Sequence, residues 1–357
     1  MKIVLILCYI TSVICISELG CRDENNVIVD WYYLYKLPKD SKHHGGKVKS
    51  DGLDYVFITS NTIDDSWVES KYKIDDPNSI TGKTIKQLYD NTNNVALMYN
   101  DEPPSSEVDM VKGHTKGVMA SDDKTGFWLI HSVPHFPPEL ENGTYNYPLT
   151  GHTYGQSFLC ITMNSVELNK AGEQLLYNEP HIYSSRAPSE FRSVLPNLFR
   201  AINGDIVKMA PFWNTKDFHS IQNTMFRSFA KTRHFGKDLY EDWVAPALQS
   251  DLNVETWQHG TGNMASNCSL KNKVYNVDKI KISEVSYEFE SLKDHSKWAV
   301  STEHSKQGDW ICVGDINRQE HQKKRGGGTV CQNHKRIATF YQNSVQDVQP
   351  CSKKYYK

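Results

Sequence analysis

Apolar and polar residues change their spacing several times along this chain, and each change marks an element. Residues 27–38 (VIVDWYYLYKLP) are β-branched and aromatic and predict a strand, as do residues 155–163 (GQSFLCITM). Residues 185–202 and 226–248 space their apolar side chains at helical intervals with polar faces between, which predicts helices. Residues 39–52 and 100–113 concentrate Gly, Pro, Ser and charge, and predict loops. Strands mixed with helices point to an α/β or α+β class.

One pattern occurs twice. Residues 114–133 read HTKGVMASDDKTGFWLIHSV, and residues 295–316 read HSKWAVSTEHSKQGDWICVGDI. Each begins His-x-Lys and continues in a short strand (GVMA, WAVS). Each then turns through polar residues to a glycine and returns on an aromatic-led strand (FWLIHSV, DWICVGD). The copies stand about half a chain length apart, so a duplicated two-lobed architecture follows. The site then lies where the two copies face each other.

Alternate residues of a strand point to one face, so His114 and Lys116 reach one ligand together, as do His295 and Lys297. Two such pairs opposed across a cleft suit hydrolysis of a phosphodiester. A neutral imidazole attacks phosphorus, and a protonated one gives its proton to the leaving oxygen. The lysines meet the charge on the phosphoryl oxygens. One ring must be neutral while the other is charged, so their pKa values have to be held apart. The three-residue pattern is weak alone, since chance supplies about one or two copies in so histidine-rich a chain. Two further copies predict exposed turns. His304 and Lys306 fall in the turn of the second hairpin, and His321 and Lys323 in the charged run RQEHQKKRGGG.

Charge changes the picture with pH. The formal net charge is −2 with 14 histidines counted neutral, which gives no general pull on nucleic acid at neutral pH. Near pH 5 exposed histidines, with a reference pKa of about 6.5, turn the balance positive and attract polyanions. Met1 and Lys2 precede an apolar run over residues 3–16, with Cys15 and Ser17 as small residues ahead of Glu18. That predicts a cleaved secretory signal over residues 1–17. No later run is apolar for long enough to span a bilayer. Six cysteines remain (Cys21, Cys160, Cys268, Cys312, Cys331 and Cys351), an even set that fits disulfides with fifteen connectivities open. None has zinc spacing, so no metal site is expected. Asn142 and Asn267 open glycosylation sequons. The length after the signal suits two ordinary domains or one large one.

The strings GHTKGVM, GFWLIHSVPHFPP, DHSKWAVS, CVGDINR and RGGGTVC closely resemble the deoxyribonuclease II family. So do VDWYYLYKLP, LMYNDEPP, TYGQSFLC and FAKTRHFGKDLYEDW, and the resemblance runs from about residue 21 to residue 351. It implies a phospholipase D-like fold of two pseudo-symmetric α/β lobes, residues 18–184 and 185–357, each with a central mixed sheet flanked by helices. It implies an acid, metal-independent endonuclease, without cofactor, that cuts DNA to 3′-phosphate products through a phosphohistidine. DNA is then held through its phosphates without sequence preference. The signal and the even cysteine set point to a secreted or lysosomal protein, and the lack of a later long apolar run to one that does not insert in a membrane. His114, Lys116, His295 and Lys297 fall on the family's catalytic positions, with His114 as nucleophile and His295 as acid, or the roles exchanged. Ser132, Asp315 and Asn317 would lie near the phosphate and bind substrate. The family's cysteine positions imply the pairs Cys21–Cys160, Cys268–Cys351 and Cys312–Cys331. The acidic residue of the wider His-x-Lys-x4-Asp motif departs from pattern, with Ser121 before Asp122 and Thr302 before Glu303.

Two other readings stay open at this point. One is a secreted, catalytically silent relative that binds DNA or a host protein, against which both intact pairs weigh. The other is a phospholipase D acting on lipid head groups, which fold-level analogy permits. The long matching strings weigh against it.

Overall fold

The computed structural model describes residues 18–43, 49–64, 66–105, 107–303, 305 and 307–351. The expected signal, residues 1–17, and the pair His304 and Lys306 lie outside the described residues.

The first strands are β1 (Trp31–Lys36), β2 (Lys42–His43), β3 (Tyr55–Thr59), β4 (Val68–Glu69), β5 (Val95–Asn100), β6 (Lys116–Ser121), β7 (Thr125–His131), β8 (Gln156–Asn164) and β9 (Ile182–Arg186). They are followed by β10 (Trp213–His219), β11 (Met225–Lys231), β12 (Leu252–Glu255), β13 (Val274–Ile282), β14 (Tyr287–Glu290), β15 (Trp298–Ser301), β16 (Trp310–Gly314), β17 (Gly327–Asn333) and β18 (Val345–Val348). Two large sheets result. One has the order β4-β3-β1-β8-β7-β6-β5-β9, and the other β10-β11-β17-β16-β15-β12-β13-β14-β2, with β18 paired to β13. The fold is α+β with two lobes, as the alternation of elements predicts.

The first sheet differs from the expected mixed sheet: its pairs are all antiparallel. The reason lies in β5 to β8, successive neighbours that follow one another as a meander and so must reverse direction at each step. The second sheet is mixed through its parallel β12–β13 pair.

Both predicted hairpins form, β6 with β7 and β15 with β16. Their strands are buried on both faces, and alternate residues serve different cores. Trp31, Tyr33 and Tyr35 of β1, with Trp128 of β7, Trp298 of β15 and Val313 of β16, join one core shared by the two sheets. Tyr32, Leu34, Phe127 and Leu129 face a core private to the first lobe, and Ala299 and Cys312 one private to the second. Helix α1 (Ser165–Asn178) packs against strands of both sheets.

The two predicted helices are mostly something else. Over residues 185–202 the chain ends strand β9, makes a short 3-10 turn at Ser189–Phe191, and is α-helical only over Pro196–Ile202. Pro188 and Pro196 explain this, because proline removes a helix donor and restricts the residue before it. Residues 226–231 belong to strand β11, bonded to β10 on one side and β17 on the other. Two ladders outweigh a local helical spacing there. Helix returns only as a π turn at Tyr240–Val244 that runs into Ala245–Leu248.

The three disulfides pair as the resemblance implies: Cys21–Cys160, Cys268–Cys351 and Cys312–Cys331. Cys312 and Cys331 face each other across the β16–β17 ladder. His321 is exposed on a 3-10 turn, Glu320–Lys324, in agreement with its reading as surface. Among the described residues no helix is long and apolar enough to cross a membrane.

Candidate active site

His114 and Lys116 stand where β6 begins, and His295 and Lys297 just before β15. These two hairpin starts face each other, and each is held by the other lobe. His114 N donates to the Gly326 carbonyl and His295 N to the Gly155 carbonyl, both at 2.9 Å. Glycine is needed for the second approach, since a Cβ on Gly155 would fall 2.3 Å from Asp294 Oδ1. A Cβ on Gly326 would fall 2.5 Å from the Asn178 carbonyl oxygen. The loops that carry these glycines are pinned by two buried lysines. Lys36 Nζ donates to the carbonyls of His152, at 3.0 Å, and Tyr154. Lys231 Nζ donates to those of Gln322, at 2.9 Å, and Arg325. Burial pushes both lysines down to about 7.

The four side chains converge. His114 and His295 are 6% and 8% exposed, so little of either reaches solvent. The His295 ring donates from Nδ1 to the Ser132 carbonyl at 2.8 Å, which leaves Nε2 facing Lys297 Nζ at 3.1 Å. Lys116 pairs with Asp101, and Arg325 reaches the same carboxylate at 3.1 Å. His114 Nε2 lies 4.0 Å from Asp101 Oδ2. No partner meets His114 Nδ1 at hydrogen-bond geometry, although the Asp315 backbone lies close enough to favour charge on the ring.

Burial and cations hold both rings neutral. Burial, then Lys116, Arg325 and Lys297, push His114 well below the ordinary histidine range. Burial, then Lys297, Lys116 and His114, do the same to His295, against a small opposing effect of the Ser132 carbonyl. Each ring thus feels the lysine of the opposite pair, the electrostatic sign of one shared site. Lys297 is brought down to about 7 by burial and Lys116. Burial alone would raise the Asp101 carboxyl, but Lys116 and Arg325 outweigh it and hold it low.

A matching frame supports each pair. Thr115 Oγ1 donates to Asp315 at 2.7 Å, and Asp315 also accepts from Lys116 N at 3.3 Å. In the other half Ser296 Oγ donates to Asp294 at 2.6 Å, and Asp294 accepts from Ser296 N at 3.1 Å. A tyrosine completes each frame, Tyr99 beside Thr115 and Tyr35 beside Ser296 and Asp294. Each tyrosine oxygen takes an indole N–H, from Trp128 at 2.8 Å and from Trp298 at 3.2 Å. Burial drives Asp315 up to about 7 and raises Asp294 as well.

The other sequence candidates take definite places. Ser132 uses its carbonyl on His295, while its hydroxyl donates to Gln156 at 2.6 Å and accepts from Ser157 N at 3.0 Å. Asn317 is buried with Oδ1 unpartnered. His131 packs between Phe136 and Phe158, with Nδ1 accepting from Val133 N, and burial brings it down to about 3. It is a neutral core histidine. Sequence reasoning missed Asp101, Arg325, Gln156 and the lysines Lys36 and Lys231. Asp101 and Arg325 sit in segments that read as charged loops, and nothing local joins them.

The arrangement groups two neutral imidazoles with the side chains of Lys116, Lys297 and Arg325, which suits attack on a phosphoryl group followed by proton transfer. Among the described residues, no group of three or more His, Cys, Asp or Glu is placed to hold a metal ion. The sequence model of the family described as Deoxyribonuclease II matches residues 20–351. Deoxyribonuclease-2-alpha of Mus musculus is 38% identical over 342 residues, covering 94% of each chain. Plancitoxin-1 of Acanthaster planci is also 38% identical, over 94% of this chain and 93% of its own. Deoxyribonuclease-2-beta of Homo sapiens is 37% identical, over 94% of this chain and 92% of its own.

Proposed function

The chain belongs to the deoxyribonuclease II family, and from that premise we propose that it cuts DNA endonucleolytically in acid, without a metal, through a phosphohistidine. In the first step His114 Nε2 bonds to phosphorus and the P–O5′ bond breaks, while His295 gives its proton to the departing 5′ oxygen. In the second, water loses a proton to His295 and attacks phosphorus. The P–N bond breaks, and a 3′-phosphate leaves with His114 restored. Lys116 and Lys297 hold the phosphoryl oxygens, which carry no base identity and so give no sequence preference.

The observation that carries this reading is the convergence of two His-x-Lys pairs from different sheets, each ring within reach of the other pair's lysine charge. The division of roles rests on surroundings. Arg325 adds a third cation beside His114, which keeps a nucleophile neutral. His295 donates from Nδ1 to a carbonyl, which supports an imidazolium. Asp315 holds Thr115 and Lys116 in place beside the phosphate, and Ser132 does so for His295; Asn317, buried two residues beyond Asp315, would add a donor. The lobes 18–184 and 185–357 each bring one pair.

Burial and the clustered cations also account for acid dependence. With both rings below their usual pKa, the proton that His295 must give is present only in acid, or once a phosphate anion has entered. A signal over residues 1–17 and three disulfides suit a secreted or lysosomal protein. Asn142, exposed at a 3-10 turn, and Asn267 would carry glycans.

The test is plasmid cleavage by purified protein from pH 4 to 8 with chelator present, followed by end-group analysis. Nicking near pH 5 with 3′-phosphate and 5′-hydroxyl ends is expected. Ends bearing 5′-phosphate, or binding without cleavage, would overturn it.

A further inference from the structure

We propose that Trp257, flanked by Tyr154 and His259, is a stacking subsite for the nucleobase beside the scissile phosphate. This rests on the nuclease reading and adds to it a contact with a base. Trp257 lies just past β12 and stays partly exposed, whereas Trp31, Trp67, Trp128, Trp298 and Trp310 are buried. Its ring meets that of His295 edge to face, with centroids 5.0 Å apart and planes at 73°. His259 lies 4.2 Å from Trp257, and Tyr154 lies 4.7 Å from it. The rings form a continuous surface from an imidazole of the site out to His259, which is exposed.

The cluster is held in place. His259 Nε2 donates to the Leu292 carbonyl at 2.6 Å. Gln319 Nε2 ties down the carbonyls of His259, at 3.0 Å, and Trp257, at 3.4 Å, and Asn263 Oδ1 at 2.8 Å. The Tyr154 carbonyl is taken by Lys36. Rings from both lobes are therefore fixed before substrate arrives, so little ordering is left to pay when a flat partner docks.

Position selects the partner. A phosphodiester lying between the two His-x-Lys pairs has a nucleoside on each side, and one of them meets the ring surface next to His295. Stacking on an aromatic face tolerates any base, which agrees with backbone-held substrate. Bases in a duplex already stack on each other, so the subsite takes one only after local unstacking. A base at a nick, a frayed end or in a single strand reaches it most easily, and one inside a duplex reaches it once the strand opens locally.

The test uses a short single-stranded oligonucleotide with one cleavable phosphodiester among methylphosphonate linkages. Matched versions carry an abasic residue on either side of that linkage. Trp257→Ala should raise KM for the intact oligonucleotide about tenfold, with a smaller change in kcat. Trp257→Phe should recover most of the loss. Against one of the abasic versions, wild type and Trp257→Ala should show equal KM. A loss of kcat that is the same for intact and abasic versions overturns the proposal, because it makes Trp257 a prop for His295 alone. If wild type cleaves nothing, the nuclease reading falls. Quenching of 2-aminopurine at the same position, lost in Trp257→Ala, then decides the stacking by itself.

Discussion

His295 and Ser132 stand on opposite lobes, and the Nδ1–H of the first donates to the peptide carbonyl of the second at 2.8 Å. This bond fixes the tautomer and leaves Nε2 facing Lys297. His114 has its amide on Gly326 of the other lobe in the same way. Neither pair is complete without the opposite half of the chain.

The proposed division of labour requires both rings. His114→Ala and His295→Ala should each lower kcat by about 10²- to 10⁴-fold or more while DNA binding persists. Radiolabelled substrate should leave an acid-labile phosphoryl group on His295→Ala and none on His114→Ala. Cleavage at the wild-type rate in either variant would remove the two-histidine mechanism.

The cations of the site set a pH dependence. Lys297 acts on both His114 and His295 and helps to keep them below their ordinary value of about 6.5. Lys297→Met removes that charge, so both rings should take up protons at higher pH. Histidine proton NMR of the free protein should show the two titrations moved upward in the variant. In wild type, kcat/KM should fall as pH rises through the acid range. An unmoved titration in the variant would show that Lys297 is not what depresses the rings.

Asp315 carries an opposite linkage. Its folded value of about 7 lies above the unfolded one of about 3.9, so the native state binds the extra proton between them. Its contribution to stability is present below pH 4 and is lost as pH rises through 7. Asp315→Asn cannot titrate and should flatten the decline in stability between these limits. Urea unfolding at pH 4.5 and 7.5 measures the difference, and an equal decline in both proteins would refute the assignment.

Arg325 and Asp101 form a buried pair, 7% and 2% exposed, with Lys116 as a third member. Arg325→Met leaves the carboxylate with one partner and frees the Lys112 carbonyl, which Arg325 holds at 3.0 Å. A loss of about 3 kcal/mol is expected by denaturant unfolding. Arg325→Lys should restore part of it. Adding Asp101→Asn to Arg325→Met should cost less than the sum of the single changes.

The Cys312–Cys331 bond closes a loop with a sequence separation of 19 and ties β16 to β17. Replacing both cysteines by serine should lower stability by about 3 kcal/mol. The melting temperature measured without reductant should show it.

The paired hairpins were legible because each carries its own signature: His-x-Lys, an apolar strand, a polar turn, an aromatic return. So were the strands β1 and β8, whose composition favours extended chain. The segment 226–231 was not, because its apolar spacing fits a helix, and only the ladders to β10 and β17 decide otherwise. The helix expected over 185–202 had its warning in Pro188 and Pro196. Half of the site was legible for a similar reason. The four side chains of the motifs announce themselves, whereas Asp101, Arg325 and Trp257 reach it from loops distant in sequence. Their meeting depends on how two sheets pack, which no local pattern records.

Carrying both hairpins in one polypeptide has a consequence for chemical division of labour. A two-fold homodimer gives its two symmetry-related histidines identical surroundings, and so cannot by structure alone prepare one to attack and the other to protonate. A single chain is free of that constraint. His114 has Arg325 beside it and only the Asp315 backbone, short of hydrogen-bond geometry, near its ring, while His295 has a carbonyl bonded to Nδ1 and Trp257 against its ring. Broken symmetry would let two similar hairpins take up the different roles proposed for them.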